Sequence, residues 1–312
     1  MLCGGSADLT SEEAKTSGKS RGWLVRAKRV FAVLATGCLL YFGWHSREML
    51  GEIIASASPG ILALAVGSWL LLHLLSPLFV ALVFRGSGLD LHYRQVLRIH
   101  LENLPARYIP GGIWHTVGRV LAFRKLGVDA HRISLFVLLE NVISAAVAFL
   151  LGGGLLFHFH GPDSWGGLAV VSAIISGLVI LHFPILLHFW LSGRNIKMST
   201  GHYIGGIFVV CLVWCAASAA FVLFVSSFAG LSLEISLLET AAAYLFSWGV
   251  GFLAVFAPQG IGVFEVTAGQ LLRGTTALGG VAVLLAGFRA VIFIADLLAW
   301  VLGRLLLSRD TG

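Results

Sequence analysis

A few charged side chains stand where charge is expensive. Glu140 interrupts the apolar stretch Leu135–Phe157, and Arg289 and Asp296 interrupt Val281–Leu302. Arg119 sits among Val117, Val120, Leu121 and Phe123, Arg107 precedes Pro110-Gly111-Gly112, and Glu265 follows Pro258-Gln259-Gly260-Ile261-Gly262-Val263-Phe264. A charge near the middle of a membrane-length apolar run costs at least about 2.5–3.5 kcal/mol on insertion scales. Such groups must therefore pair with one another or face a site that holds a polar ligand. Glu140 and Arg289 are the sharpest candidates, either as a mutual structural ion pair or as direct contacts to a transported group, and a pair can open to admit cargo. Asp296, seven residues after Arg289, is an alternative partner for it. Glu265 is either an acid placed to suit the positive end of a helix or a site residue. Arg107 and Arg119 are either cytoplasmic anchors or substrate contacts, with Arg119 favoured by its apolar surroundings.

Bond-making chemistry has little to stand on. The sequence contains no phosphate-binding Walker loop, no GxSxG nucleophile turn and no HExxH zinc motif. His158 and His160 are too few to hold zinc. No catalytic residue, cofactor or metal is expected. Three of the four cysteines, Cys38, Cys211 and Cys215, lie in or beside apolar runs and form no disulfide framework. Cys3 resembles a lipoprotein cleavage position, but no apolar signal segment precedes it. The net charge of +6 and pI near 9.4 belong to basic loops beside a membrane, not to a nucleic-acid surface.

The elements that must position these residues are membrane helices. The chain is 58% hydrophobic and 12% charged, about half the charge of a soluble domain, with a mean hydropathy of +0.92. Ile61–Phe84, Leu135–Phe157, Leu168–Trp190, Ile204–Phe228 and Val281–Leu302 each exceed the roughly 20 residues that cross about 30 Å of hydrocarbon. They do not alternate in polarity as barrel strands do. With Trp23–Trp44 and Ala241–Phe256, the sequence predicts an all-α integral membrane bundle of about 7–8 spans. Residues 1–22 read as a disordered cytoplasmic arm, 23–308 as one membrane domain and 309–312 as a tail. Loop charges orient it. Residues 46–60, 158–167 and 230–239 are poor in Lys and Arg and fall outside, whereas 85–132 and the loop with Arg194 and Lys197 are basic and fall inside. The N-terminus is then cytoplasmic. Seven full spans would leave the C-terminus outside, whereas Arg304 and Arg309 argue for inside.

Two stretches fit no simple span, Tyr93–Lys125 and Ala257–Arg273. They carry matching breaks, Tyr108-Ile-Pro110-Gly111-Gly112-Ile113 and Phe256-Ala-Pro258-Gln-Gly260-Ile261, with Gly262 following. Glu140 comes 30 residues after Pro110, and Arg289 comes 31 after Pro258. This reads as an internal repeat, with units about 61–157 and 235–306, each holding a broken or re-entrant helix and a charge-bearing span. Such a duplication points to a transporter's central site. Broken helices leave backbone groups unpaired, and helix starts after the breaks suit an anionic headgroup or phosphate. The expectation is that both breaks face one central cavity and that Glu140 and Arg289 are coupled across it.

The run Leu104–Arg119, the later Glu140 and Pro258-Gln-Gly-Ile-Gly262-Val-Phe-Glu265 resemble the lysylphosphatidylglycerol synthase transmembrane-domain family, the flippase-type proteins with hopanoid-associated and YbhN-like members. The resemblance spans roughly Tyr93 to Leu306. Gln259 stands where that family usually has glycine, and the backbone break survives the change. The resemblance implies a bacterial inner-membrane protein that moves a lipid with an anionic or aminoacylated headgroup between leaflets, near Arg107, Arg119, Glu140, Glu265 and Arg289. The soluble aminoacyl-transferase domain of the two-part members lies outside this sequence, so the expectation is a lipid handler, not an enzyme, with a lipid-synthesis enzyme as a plausible partner. Two other readings stay open: a secondary transporter of a small anionic solute, and an accessory subunit of a lipid-modifying enzyme that moves nothing.

Overall fold

A computed structural model describes residues 47–109, 113–162, 164–192, 196–228, 236–254, 257, 260–272 and 278–307, with isolated positions between 37 and 45. The arm 1–22, most of Trp23–Trp44, Pro110-Gly111-Gly112, Pro258-Gln259 and the C-terminal tail lie outside the described residues.

Among the described residues the chain is helical and contains no strand. In order they form α1 (Arg47–Ala55), α2 (Pro59–Gly86), α3 (Tyr93–Glu102), a 3-10 turn (Leu104–Tyr108), α4 (Trp114–Lys125), α5 (Ala130–His160), α6 (Ser164–Leu191), α7 (Thr200–Ser226), α8 (Leu237–Leu253), α9 (Val263–Leu271) and α10 (Leu278–Leu307). Five of these, α2, α5, α6, α7 and α10, are long and apolar enough to cross a membrane, and α8 is a shorter apolar helix of 17 residues. The architecture is that of an all-α, multi-pass membrane protein.

Local chemistry sets the helix ends. Pro59 opens α2 at a position whose N–H would be unsatisfied in any case. Asp129 caps α5 by accepting from the backbone N–H groups of His131 and Arg132, both at 3.0 Å. Ser236 caps α8 by accepting from Glu239 N at 3.1 Å. Gly161, at φ 63°, ends α5 in a conformation that few other residues adopt.

Packing pairs α2 with α7, α5 with both α6 and α8, and α9 with α8 and α10, while α10 also lies against α2. Lipid tails are as apolar as the side chains, so close fit supplies the attraction. Where α5 crosses α8, a methyl group added at Gly152 would sit 2.6 Å from Phe246 N, and one at Gly249 would sit 2.7 Å from the Phe149 ring. An aromatic knot of Phe221, Tyr244, Phe264 and Phe288 joins α7, α8, α9 and α10. By contrast, α6 keeps Leu178, Leu181, Leu186 and Phe189 exposed, as suits a lipid-facing helix at the edge.

Backbone ties pair the connecting segments. Ser58 N donates to Ser227 O at 2.7 Å beside an Ala57–Phe228 bridge, which puts the start of α2 and the end of α7 at one end of the bundle. Ser199 N donates to Gly86 O at 3.0 Å, which joins the end of α2 to the start of α7 at the other. This grouping matches the two loop classes read from charge: the residues just before α2 share one end with those at the end of α7, and those just after α2 share the other with the residues just before α7.

Candidate functional site

Each break is followed by a short helix, and each short helix carries one buried charge. In the first half that charge is Arg119 on α4, which forks onto Glu140 of α5. Nη1 donates to Oε1 at 3.0 Å and Nη2 to Oε2 at 2.7 Å. Its guanidinium also lies 5.1 Å over the Phe136 ring. The position of α4 is set by Gly118, whose face touches the side chain of Asn103 so closely that a β-carbon there would collide with its amide oxygen. That amide in turn donates to Ile99 O at 2.7 Å.

In the second half the short helix is α9. Gly260 and Gly262 take φ values of 67° and 85°, which only glycine adopts without strain. Gly260 also lies against the backbone of Gly251, 3.1 Å from where its β-carbon would be. The chain can thus turn sharply and start α9 at Val263. Glu265, fully buried, accepts from Gly262 N at 2.7 Å through Oε2 and from Arg289 Nε at 2.7 Å through Oε1. The helix start expected to receive an external anion therefore already holds a carboxylate of its own.

These pairs correct the expectation that Glu140 and Arg289 are partners. Each finds an opposite charge on the short helix of its own half. Asp296 does not serve Arg289 either. It is almost wholly buried in α10 and lies at the centre of a separate cluster. Trp69 Nε1 donates to Asp296 Oδ1 at 3.1 Å, and His73 Nε2 lies 2.9 Å from the same oxygen. Arg107 Nη1 and the Tyr108 hydroxyl each donate to Oδ2 at 3.0 Å. Three elements meet here: α2 supplies Trp69 and His73, one helical turn apart on one face, the 3-10 turn supplies Arg107 and Tyr108, and α10 supplies the carboxylate. Tyr108 also rests edge-on against Phe293 of α10, with centroids 4.9 Å apart.

From His73 the polar chain continues. His73 Nδ1 lies 3.2 Å from His100 Nε2, and the His100 and His115 rings meet edge to face at 5.4 Å. Among the described residues, His100 Nδ1 and His115 Nε2 are buried without a hydrogen-bond partner. Both histidines lie on the short helices, outside the five long ones. Burial, then the neighbouring His73 and His115 rings and the Arg119 and Arg107 guanidiniums, push the His100 pKa well below its usual value. Burial and the same two guanidiniums do so for His115.

Of the site residues read from sequence, Arg119 and Glu140 meet in one pair, Glu265 and Arg289 in another, and Arg107 joins Asp296. Pro110, Gly111, Gly112 and Pro258 lie outside the described residues, so the expected apposition of the two breaks falls there too. Trp69, His73, His100 and His115 were missed. The available signal was a histidine at mid-run in Ile61–Phe84 with a tryptophan four residues before it, and two more histidines flanking the first break. A cavity of about 320 Å³ lies elsewhere, where the end of α6 meets the start of α7, lined by His188, Lys197 and Tyr203 among others.

Fold and site together define a multi-pass helical membrane protein with interior ion pairs built at two short helices. No protein-family model matches this chain, and no curated protein matches it.

Proposed function

We propose that this protein is a flippase-like translocator of a lipid with an anionic or aminoacylated headgroup, with no enzymatic activity of its own. The observation that carries the reading is the rim of the Asp296 cluster. The carboxylate is sealed, yet Arg107 is 40% exposed, and Tyr108, which shares its carboxylate oxygen, is exposed and rests against exposed Phe293. A cation set among outward-facing apolar and aromatic side chains suits a headgroup whose tails stay in the bilayer. A small solute calls for a pathway closed from lipid. The resemblance to the lysylphosphatidylglycerol synthase transmembrane family points the same way. In this reading the bundle has about 7–8 spans, the segments around Pro110 and Pro258 are re-entrant, the N-terminus is cytoplasmic, and the membrane is the bacterial inner membrane.

The test uses purified protein in phosphatidylcholine vesicles with trace fluorescent phosphatidylglycerol or fluorescent phosphatidylcholine, quenched from outside with dithionite. Protein should speed the loss of inner-leaflet signal for the anionic probe more than for the neutral one, and Arg107→Gln should remove that preference. Vesicles no faster than empty ones would overturn the proposal. If they instead took up a small labelled anion, a solute transporter would replace it. If neither moved, the accessory-subunit reading would gain, and co-purification with a lipid-synthesis enzyme would be sought.

A further inference from the structure

The cavity between the end of α6 and the start of α7 shares no residue with the two ion pairs or the Asp296 cluster. We propose that it holds a resident phospholipid with an anionic headgroup, taken from the leaflet at the basic-loop end and separate from any lipid that is moved. This site stands or falls independently of the translocator reading.

A proline opens the space. Pro184 lies inside α6 and has no N–H, so the Ile180 carbonyl loses its helical donor. The Tyr203 hydroxyl of α7 donates to that oxygen at 2.8 Å. The bond ties two helices that pack mainly on different neighbours, α6 on α5 and α7 on α2. Beside this tie, the last two turns of α6 and the first turn of α7 enclose about 320 Å³, at the lower end of the roughly 300–1,000 Å³ of small-molecule sites.

The lining is amphiphilic. Leu187, Leu191 and Ile196 are buried and form an apolar floor. His188, Ser192, Lys197 and Thr200 bring hydrogen-bonding groups and a positive charge. Residues 164–233 include no Asp or Glu, so α6, α7 and their connection offer Lys197 no acid of their own. Across the backbone tie from Ser199 to Gly86, Asp90 beyond the end of α2 is already held by Arg85 at 2.8 Å. An anion from outside the chain fills the role. The positive end of the α7 dipole favours the same sign.

The surroundings select a lipid over a free anion. On α7, Ile204 and Phe208 follow Thr200 on one face, four and eight residues on. On α6, Ile185 and Leu181 precede His188 by three and seven residues. All four apolar side chains are exposed. Apolar tracks therefore run from the polar cavity toward the middle of the membrane on both helices, where two acyl chains can lie. The bound lipid fastens the end of α6 to α7.

The experiment places the full chain in phosphatidylcholine vesicles with a trace of phosphatidylglycerol or phosphatidylcholine that carries a photoreactive group in one acyl chain. After irradiation, adducts are mapped along the chain by mass spectrometry. The anionic probe should label the faces of α6 and α7 beside the cavity at least about tenfold more than the neutral one, the scale of one charge-assisted hydrogen bond. Lys197→Gln should reduce it to the neutral level. Thr200→Trp keeps the charge but fills the space, and should do the same, whereas attraction to surface charge alone would survive it. If Thr200→Trp does not insert, Ser192→Trp fills the cavity from the α6 side. Equal labelling by the two probes, or undiminished labelling in the filled cavity, would overturn the proposal. So would displacement of the label by millimolar inorganic phosphate, which would make this a free-anion site. Labelling as expected with no lipid movement in the dithionite assay would leave the site standing and remove only the translocator reading.

Discussion

The two halves of the molecule solve the same problem with opposite signs. In the first, the short helix gives the cation and the long helix the anion: Arg119 and Glu140 are 21 residues apart, with side chains 3% and 24% exposed. In the second, the short helix gives the anion and the long helix the cation: Glu265 and Arg289 are 24 residues apart, at 0% and 32%. In both, the sealed partner belongs to the short helix and the more open one to the long helix. A helix of about ten residues cannot span the bilayer, so it must be pinned, and a buried charge drawn to a long neighbour pins it. The difference lies in the second duty of the sealed charge. Arg119 stacks on Phe136, whereas Glu265 also closes its own helix start by accepting from Gly262 N. Sign is therefore exchangeable in the first half and constrained in the second.

The largest effect is expected at Glu265. Glu265→Gln strands Arg289 and weakens the cap, at a cost of about 3–5 kcal/mol. The measurement is thermal or detergent unfolding of purified protein, and Glu265→Gln/Arg289→Gln should recover part of the loss. Next comes the assignment of partners. A double-mutant cycle on Arg119→Gln and Glu140→Gln should give a coupling of about 0.5–3 kcal/mol, while Glu140→Gln with Arg289→Gln should be additive within about 0.5 kcal/mol. Coupling in the second cycle and additivity in the first would restore the pairing read from sequence and remove the contrast between the two halves.

A charge swap tests the asymmetry itself. Arg119→Glu/Glu140→Arg keeps opposite charges in contact and removes no cap. Glu265→Arg/Arg289→Glu keeps the charges but puts a cation at a helix N-terminus and loses the bond to Gly262. The second swap should be worse than the first by about 1 kcal/mol or more, the sum of a lost cap and an unfavourable dipole. Equal losses would mean that the cap contributes nothing.

The smallest effect contrasts a buried cap with an exposed one. Asp129→Ala at the start of α5 should cost about 1 kcal/mol. Partial burial raises the Asp129 carboxyl, but bonds from Arg132 and His131 outweigh it and hold its pKa below the ordinary carboxylate range. A depressed folded-state pKa means the contribution is complete above the unfolded carboxylate's range and is lost as pH falls through the folded value. The gap between wild type and Asp129→Ala should therefore close in strong acid.

The membrane class, the five long helices, both short-helix regions and the identities of most charged participants followed from the sequence alone. Each rests on local composition: twenty apolar residues leave few alternatives to a span, Pro-x-Gly interrupts any helix, and a lone charge in such a run must be answered by something. The charge that follows each break at a similar spacing was legible too. Which charge answers which was not. Glu140 and Arg289 hold equivalent places in their halves, and equivalence invites pairing. Three-dimensional packing instead sets each long helix against its own short helix, while Gly118 fits against Asn103 and Gly260 against Gly251 of α8. The Asp296 cluster was further from view. Its members come from positions 69, 73, 107, 108 and 296, on elements with no shared motif. Only the crossing of α2, the 3-10 turn and α10 brings them within hydrogen-bond reach, and hydrogen bonds reward distance and angle in space with no regard to separation along the chain.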